Sequence, residues 1–243
     1  MKYRYSSFNN QDNTITLKGD YNDQVTAMAG NDTIATYMGD DVIKAGEGND
    51  TVYAGWGDDD VYGDYGHDVL YGNDGNDEMH GGDGSDKLIG GSGRDRLFGD
   101  AGDDTLAGGA GSDVLGGGDG DDRLWGGNGR DRLVGGDGND VLRGGNGDDT
   151  IGGGSGRDLL IGGDGADTFI FGRSFGDDVI KDFDASEGDV LNIIGLRDFT
   201  LSDLKGSGMI YEEGGDVFVE IGEDLLEIQS VSLGEIADAI TFI

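Results

Sequence analysis

The chain has 243 residues, 52 of them Gly, with no Pro and no Cys, and its 51 acidic against 16 basic residues give a formal net charge of −35. The acids divide into 42 Asp and only 9 Glu, a bias that a need for solubility alone does not explain. Composition excludes a disulfide framework, a Cys-based zinc site and a collagen helix, and it makes nucleic acid a poor partner because that needs a basic footprint.

In chain order, Met1 to Leu17 contains no apolar core of a Sec-type signal peptide. No run approaches the ~18 apolar residues of a membrane helix, so no membrane insertion is expected. Residues 1–26, which include one degenerate repeat from Lys18 to Thr26, are expected to cap the end of the repeat array that begins at Ala27.

From Ala27 to Ile170 a nine-residue frame runs without insertion or deletion, through sixteen copies such as GGDGSDKLI from Gly81 and GGSGRDRLF from Gly90. Position 6 is always Asp, position 8 always apolar, and position 4 Gly from Gly30 to Gly165. Gly-rich positions 1–6 suit a turn with left-handed backbone, and positions 7–9, with one side chain inward and two outward, read as a three-residue strand. Two repeats then make one coil of 18 residues, and stacked coils make two parallel sheets about a thin core of position 8 side chains. Seventeen repeats give about 8.5 coils and a length of roughly 40 Å.

Such a core is too thin to hold the fold alone. Residues 27–170 carry 29 Asp and 2 Glu against 9 Lys or Arg, a net of −22. Positive charge is needed at each turn, and Ca²⁺ accepts six to eight carboxylate and carbonyl oxygens, whereas Mg²⁺ holds its waters and demands tighter octahedral geometry.

The repeats resemble the RTX (repeats-in-toxin) calcium-binding nonapeptides, which form a parallel β-roll. The resemblance implies an all-β fold, a roll of two short-strand sheets over 27–170, followed by a mainly-β capping segment over 171–243. It implies that each ion lies between successive turns on one edge, held by position 6 carboxylates and turn carbonyls of repeats i and i+2. The carboxylates are Asp41, Asp50, Asp59, Asp68, Asp77, Asp86, Asp95, Asp104, Asp113, Asp122, Asp131, Asp140, Asp149, Asp158 and Asp167. The position 4 carbonyls are Gly48, Gly57, Gly66, Gly75, Gly84, Gly93, Gly102, Gly111, Gly120, Gly129, Gly138, Gly147, Gly156 and Gly165. Up to about 15 Ca²⁺ would nearly balance the charge. Early copies depart from the pattern (Ala27, Thr36, Ala45 and Ala54 at position 1, Met28 and Tyr37 at position 2), so sites before about residue 45 are expected to be weak or absent.

Ala166 to Ile193 resembles the segment that closes the roll in secreted RTX proteases, lipases and epimerases. Strands are expected at Asp189–Ile194, Asp216–Ile221 and Leu225–Ile228, and a short helix opened by a Ser232/Glu235 capping box and running to about Ala239. The ending ITFI (Ile240 to Ile243) reads as a hydrophobic plug, and the resemblance makes the tail also an uncleaved signal for the type I secretion machinery. The expected life history is synthesis as an unfolded chain where calcium is scarce, export without an N-terminal signal peptide, and cooperative folding on calcium outside the cell.

Catalysis has no evident home. His67 and His80 lack the spacing of a zinc or triad site, and the paired Asp residues follow the repeat. The leading reading is a secreted, non-catalytic calcium-binding module. The alternative is an accessory module of a larger secreted enzyme that binds polysaccharide or aids its stability and export, for which Tyr53, Tyr71, Tyr62 and Phe98 at outward position 9 are candidate sugar platforms. A membrane-acting toxin lacks its inserting or acyl-modifiable segment here. Thr33, Thr51 and Thr105 are interrupted by Val69 and Lys87, which argues against a regular ice-binding face.

Overall fold

The computed structural model describes residues 3–172, 174–194, 201–237 and 239–242. They form an all-β parallel solenoid of about ten turns with very little helix. Alternate strands fall into two sheets of 12 and 13 strands. Each strand pairs in parallel with the one a full coil later, so Leu88 faces Leu106 on one sheet and Leu97 faces Leu115 on the other.

Strands are six residues long, as in Lys87–Ser92 and Arg96–Ala101, not the three predicted. They run from position 7 of one repeat through position 3 of the next. Positions 8 and 1 both point inward, and the burial pattern of each strand alternates accordingly. The position 8 side chains from Ile34 to Phe169 are wholly buried. Position 1 is Gly in most coils and adds no side chain, but Ala27, Ala45 and Ala54 fill it near the N-terminus. Thr36 fills it too, and its hydroxyl donates to the Ala54 carbonyl at 2.7 Å.

The flanks lengthen the roll beyond the 8.5 coils of the repeat. Strands Tyr3–Ser7 and Thr14–Thr16 pair in parallel with Asn22–Thr26 and Thr33–Met38, and Ile15 is buried opposite Ile34 at position 8. The first 26 residues therefore add an irregular coil to both ladders. At the other end Asp177–Ile180 and Val190–Ile193 continue the two sheets, pairing Leu160 with Ile180 and Phe169 with Leu191. The core here swells to Phe169, Phe171, Phe175 and Phe183, with Phe171 edge-on to Phe175 at 5.2 Å.

The expected strands are found at Val190–Ile193, Asp216–Ile221 and Asp224–Ile228. Strand Ile210–Glu213 forms an antiparallel hairpin with Asp216–Ile221 about Gly214 and Gly215, an element the sequence analysis passed over, as it did the helix Leu201–Ser207. The second helix covers only Leu233–Ile236, with Ser232 as N-cap and the reciprocal Ser232/Glu235 capping box in place. The terminal Ile240–Phe242 is a strand paired with Val190–Ile193, so this part of the tail extends a sheet.

Candidate metal centres along the two edges

Where the chain turns from one sheet to the other, the position 6 Asp residues stack in two rows, one on each edge. All are buried, with at most 3% of their surface exposed. In each row the carboxylate Oδ1 accepts the backbone N–H of the Asp one coil earlier. Asp95 N–H donates to Asp113 Oδ1 at 2.9 Å, Asp113 N–H to Asp131 Oδ1 at 2.8 Å, and Asp104 N–H to Asp122 Oδ1 at 2.7 Å. Asp is short enough to place its acceptor on that N–H while remaining inside the turn and Glu is not, which accounts for the exclusion of Glu from position 6.

The second oxygen of each carboxylate is the unusual feature. Among the described residues, Oδ2 is buried and without a hydrogen-bond partner in Asp32, in Asp178 and in every position 6 Asp from Asp50 to Asp167. An unpaired buried carboxylate oxygen carries a large desolvation cost, and a periodic row of them needs a common explanation. One row supplies its own contrast at the C-terminal end. Asp189 Oδ1 accepts from Asp167 N–H at 2.9 Å, and its Oδ2 accepts from Asp184 N–H at 2.8 Å, so there a backbone donor fills the place left open elsewhere.

The open places are lined by oxygen. A Cβ placed on Gly90 would run into Asp95 Oδ2 and stand 2.8 Å from the Gly108 carbonyl oxygen, one coil on. The same relation recurs at Gly72, Gly81, Gly99, Gly108, Gly117, Gly126, Gly135 and Gly144. Position 1 carbonyls of repeat i+2 thus meet the carboxylate of repeat i. The predicted position 4 glycines, Gly48 to Gly165, lie on the same edges with φ between +124° and +149°. The carbonyls of Gly48 to Gly147 point along the roll at the position 4 glycine one coil on, as Gly75 does at Gly93, leaving no room for a Cβ. Asp113 Oδ1 is 3.3 Å from the point where a Cβ on Gly111 would stand, so positions 4 and 6 of a repeat are neighbours.

Burial pushes these carboxyls far above the ordinary carboxylate range, to about 8 for Asp59 and Asp178 and about 7 for Asp68, Asp95, Asp104, Asp140 and Asp149. Neighbouring Asp charges add to the rise, and the accepted backbone N–H opposes it. Among the described residues no three His, Cys, Asp or Glu side chains converge on a point, so an ion on these edges would draw most of its donors from backbone carbonyls. An all-oxygen set of carboxylates and carbonyls fits a hard cation with high coordination number, which is Ca²⁺ more than Mg²⁺.

The frame-based reading missed three features. Position 1 carbonyls were not counted as donors. Asp178 and Asp189 occupy position 6 after spacings of 20 and 22 residues in place of 18, so a search without gaps passes them by; the run Gly176–Asp177–Asp178–Val179–Ile180 is the signal that finds the first. Position 5 also forms a ladder, in the opposite direction. Asn76 N–H donates to Asp58 Oδ1 at 2.8 Å and Arg94 N–H to Asn76 Oδ1 at 2.9 Å. His67 takes part through Nδ1, which accepts from Ser85 N–H at 2.7 Å. In the earliest coils position 1 carries Ala27, Thr36, Ala45 and Ala54 in place of Gly, and by the geometry of the later coils a Cβ there is directed at the place beside Asp32, Asp41, Asp50 and Asp59.

Comparison with known proteins gives one family. The RTX calcium-binding nonapeptide repeat (4 copies) matches residues 19–52, 37–70, 53–88, 80–115, 89–124, 116–151, 125–160 and 143–180. No curated protein matches the chain. Among solved structures, the extracellular lipase LipA from Serratia marcescens is 19% identical over 92% of this chain, with a TM-score of 0.44; the chain spans 45% of that lipase. A hyperactive, Ca²⁺-dependent, β-helical antifreeze protein from an Antarctic bacterium is 20% identical over 80% of this chain and 86% of its own, with a TM-score of 0.37.

Proposed function

Because the chain belongs to the family of RTX calcium-binding nonapeptide repeats, we propose that it is a secreted, non-catalytic module whose folding is driven by calcium outside the cell. The observation that carries this reading is the double row of buried Oδ2 atoms without partners. The residues that would hold the ions are the position 6 carboxylates from Asp68 to Asp167 together with Asp178, the position 1 carbonyls of the following coil and the position 4 carbonyls of the turns. Sites at Asp32, Asp41, Asp50 and Asp59 are the weak end of each row, since a methyl or hydroxyethyl group fills part of their space.

Calcium supplies charge compensation at each turn. The chain's own part is to exclude water and to fix each Oδ1 on a backbone N–H so that Oδ2 faces the next coil's carbonyls. With calcium absent, each coil buries a charged group against its neighbours' charges. With calcium bound, the same groups become the links between coils. Many sites that exist only in the folded form act together, so folding is steep in calcium. Low calcium inside the cell keeps the chain extended for the type I secretion machinery, and the calcium-rich exterior folds it. Circular dichroism in a chelator, followed by titration with calcium and separately with magnesium, tests the reading: a sharp gain of β-structure with calcium alone is expected, and a chain equally folded in chelator overturns it.

A second reading, as an accessory module of a larger secreted enzyme that binds polysaccharide, is favoured by the outward aromatic rows. Tyr53 stacks on Tyr71 at 4.9 Å, and Tyr62, His80 and Phe98 form a continuous stack at 5.4 and 4.9 Å. The mutual stacking occupies most of these ring faces, so only rings at the end of a stack can take a sugar.

A further inference from the structure

One end of a stack does open on a cavity. On the sheet carrying Thr51–Trp56, a groove of about 660 Å³ is floored by Gly55 and Gly91 and lined by Ala35, Tyr37, Tyr53, Trp56, Asn73 and Asp74. Tyr53 and Trp56 lie on one strand on either side of Gly55, and Tyr37 and Asn73 hold the equivalent position one coil before and one coil after. Tyr71 covers one face of Tyr53; the other looks over Ala35, where a small side chain leaves the ring open. Tyr37, Tyr53 and Trp56 are 41%, 44% and 51% exposed, a dense group of aromatic surface. The indole Nε1 donates to Asp74 Oδ2 at 2.6 Å, which fixes the Trp56 ring upright on the groove wall.

Position 2 takes positive φ in many coils, at Met28, Asp64 and Asp100 as well as at Tyr37 (77°) and Asn73 (79°), and most repeats fill it with Gly. A tyrosine there costs more than the glycine it replaces, and at Tyr37 it puts a ring on the groove. The glycine floor continues past Gly91 as Gly109 and Gly127, and Trp125 stands on the same wall as Tyr53 four coils further on, roughly 19 Å away.

We propose that this face is a binding groove for a neutral, extended polysaccharide chain, with its main subsite at Tyr37, Tyr53 and Trp56 and a second platform at Trp125. Flat exposed rings match the C–H faces of pyranoses, and the Asp74 carboxylate and Asn73 amide match their hydroxyls. The Asp74 carboxylate within the groove disfavours uronate polymers, and two platforms in line favour a chain over a small cation. The inference rests on the roll being folded and not on which ion loads it. The test is isothermal titration of the calcium-loaded full chain with cellohexaose, xylohexaose, mannohexaose and chitohexaose, alongside hexagalacturonate and tetramethylammonium, with circular dichroism of each sample reading the fold separately. Binding of at least one neutral hexasaccharide is expected, weakened about tenfold or more by Trp56→Ala and by Tyr53→Ala, and less by Trp56→Phe, which keeps a ring. The proposal is overturned if folded protein binds none of the four, if the Tyr53→Ala/Trp56→Ala double variant binds as tightly as the parent, if hexagalacturonate binds equally well, or if tetramethylammonium displaces the sugar.

Discussion

Asp104→Asn separates a metal-ligand role from a purely structural one, because the two give effects of different sign. Asp104 is wholly buried in mid-roll; its Oδ1 accepts from Asp86 N–H at 2.7 Å and its Oδ2 has no partner. The Asn oxygen can keep the Asp86 bond, while its NH₂ replaces Oδ2 and presents donors to a place lined by carbonyls. With calcium removed, the variant loses a buried charge. Raising a carboxyl from 3.8 to about 7 disfavours the folded, ionised form by roughly 4 kcal/mol at neutral pH and above. The metal-free variant should therefore fold at a lower concentration of trimethylamine N-oxide than the parent, monitored by circular dichroism in EGTA. In calcium the order reverses once saturation of the site outweighs that relief: at a ten-thousandfold excess over its dissociation constant, loss of one site removes about 5.5 kcal/mol against the roughly 4 regained, read as a lower urea midpoint. A variant destabilised under both conditions would make Asp104 a structural acceptor only, and one stabilised under both would leave the cradle without an ion.

Acidification in EGTA should build structure. Carboxyls such as Asp50, Asp59, Asp104 and Asp149 are raised in the folded state to about 6 to 8 from 3.8, so the stability linked to their protonation is fully present below 3.8 and is lost as pH rises through 6 to 8. Dilute metal-free protein taken from pH 8 to pH 5 should gain β-signal, and a loss would contradict the burial of these groups. Gly93→Ala places a Cβ against the Gly75 carbonyl at φ +139° and should lower stability in calcium by about 1–3 kcal/mol or more, whereas Gly152→Ala, at ordinary φ on the outer face, should lower it by less than about 1 kcal/mol; equal urea midpoints would refute the difference. Arg94 has no acceptor to offer Ser112 along the position 5 ladder, so Arg94→Asn should raise stability by about 0.5 kcal/mol or more, read as a higher urea midpoint, and an unchanged midpoint would mean that water serves that N–H as well.

The roll itself was legible because one Asp and one apolar residue recur every nine positions, and that period leaves a single way to stack. Less legible was the length of each strand. Gly carries no pattern, so nothing in a run such as Gly90–Gly91–Ser92 says that it continues the strand of Lys87, Leu88 and Ile89; the ladder to Thr105–Ala110 decides it. Insertions of two and four residues hid the last carboxylates, Asp178 and Asp189, from a fixed frame. In the C-terminal part the Ser232/Glu235 box was readable because its chemistry is local, while the helix Leu201–Ser207, with Gly206 inside it, offers no apolar period. The site was legible in its carboxylates and position 4 glycines. Its position 1 carbonyls were not, since a backbone acceptor leaves no trace in a sequence except the Gly that lets another group approach it.

Counting the ions tests the central claim most directly. Equilibrium dialysis of the full chain against buffered calcium, paired with circular dichroism of the same samples, gives stoichiometry and fold together. The account predicts on the order of ten or more calcium ions per chain, taken up over the same narrow range in which β-structure appears, with magnesium neither bound nor effective. A chain that reaches its full β-signal while holding no calcium would contradict it, and the partnerless Oδ2 rows would then need another source of compensation.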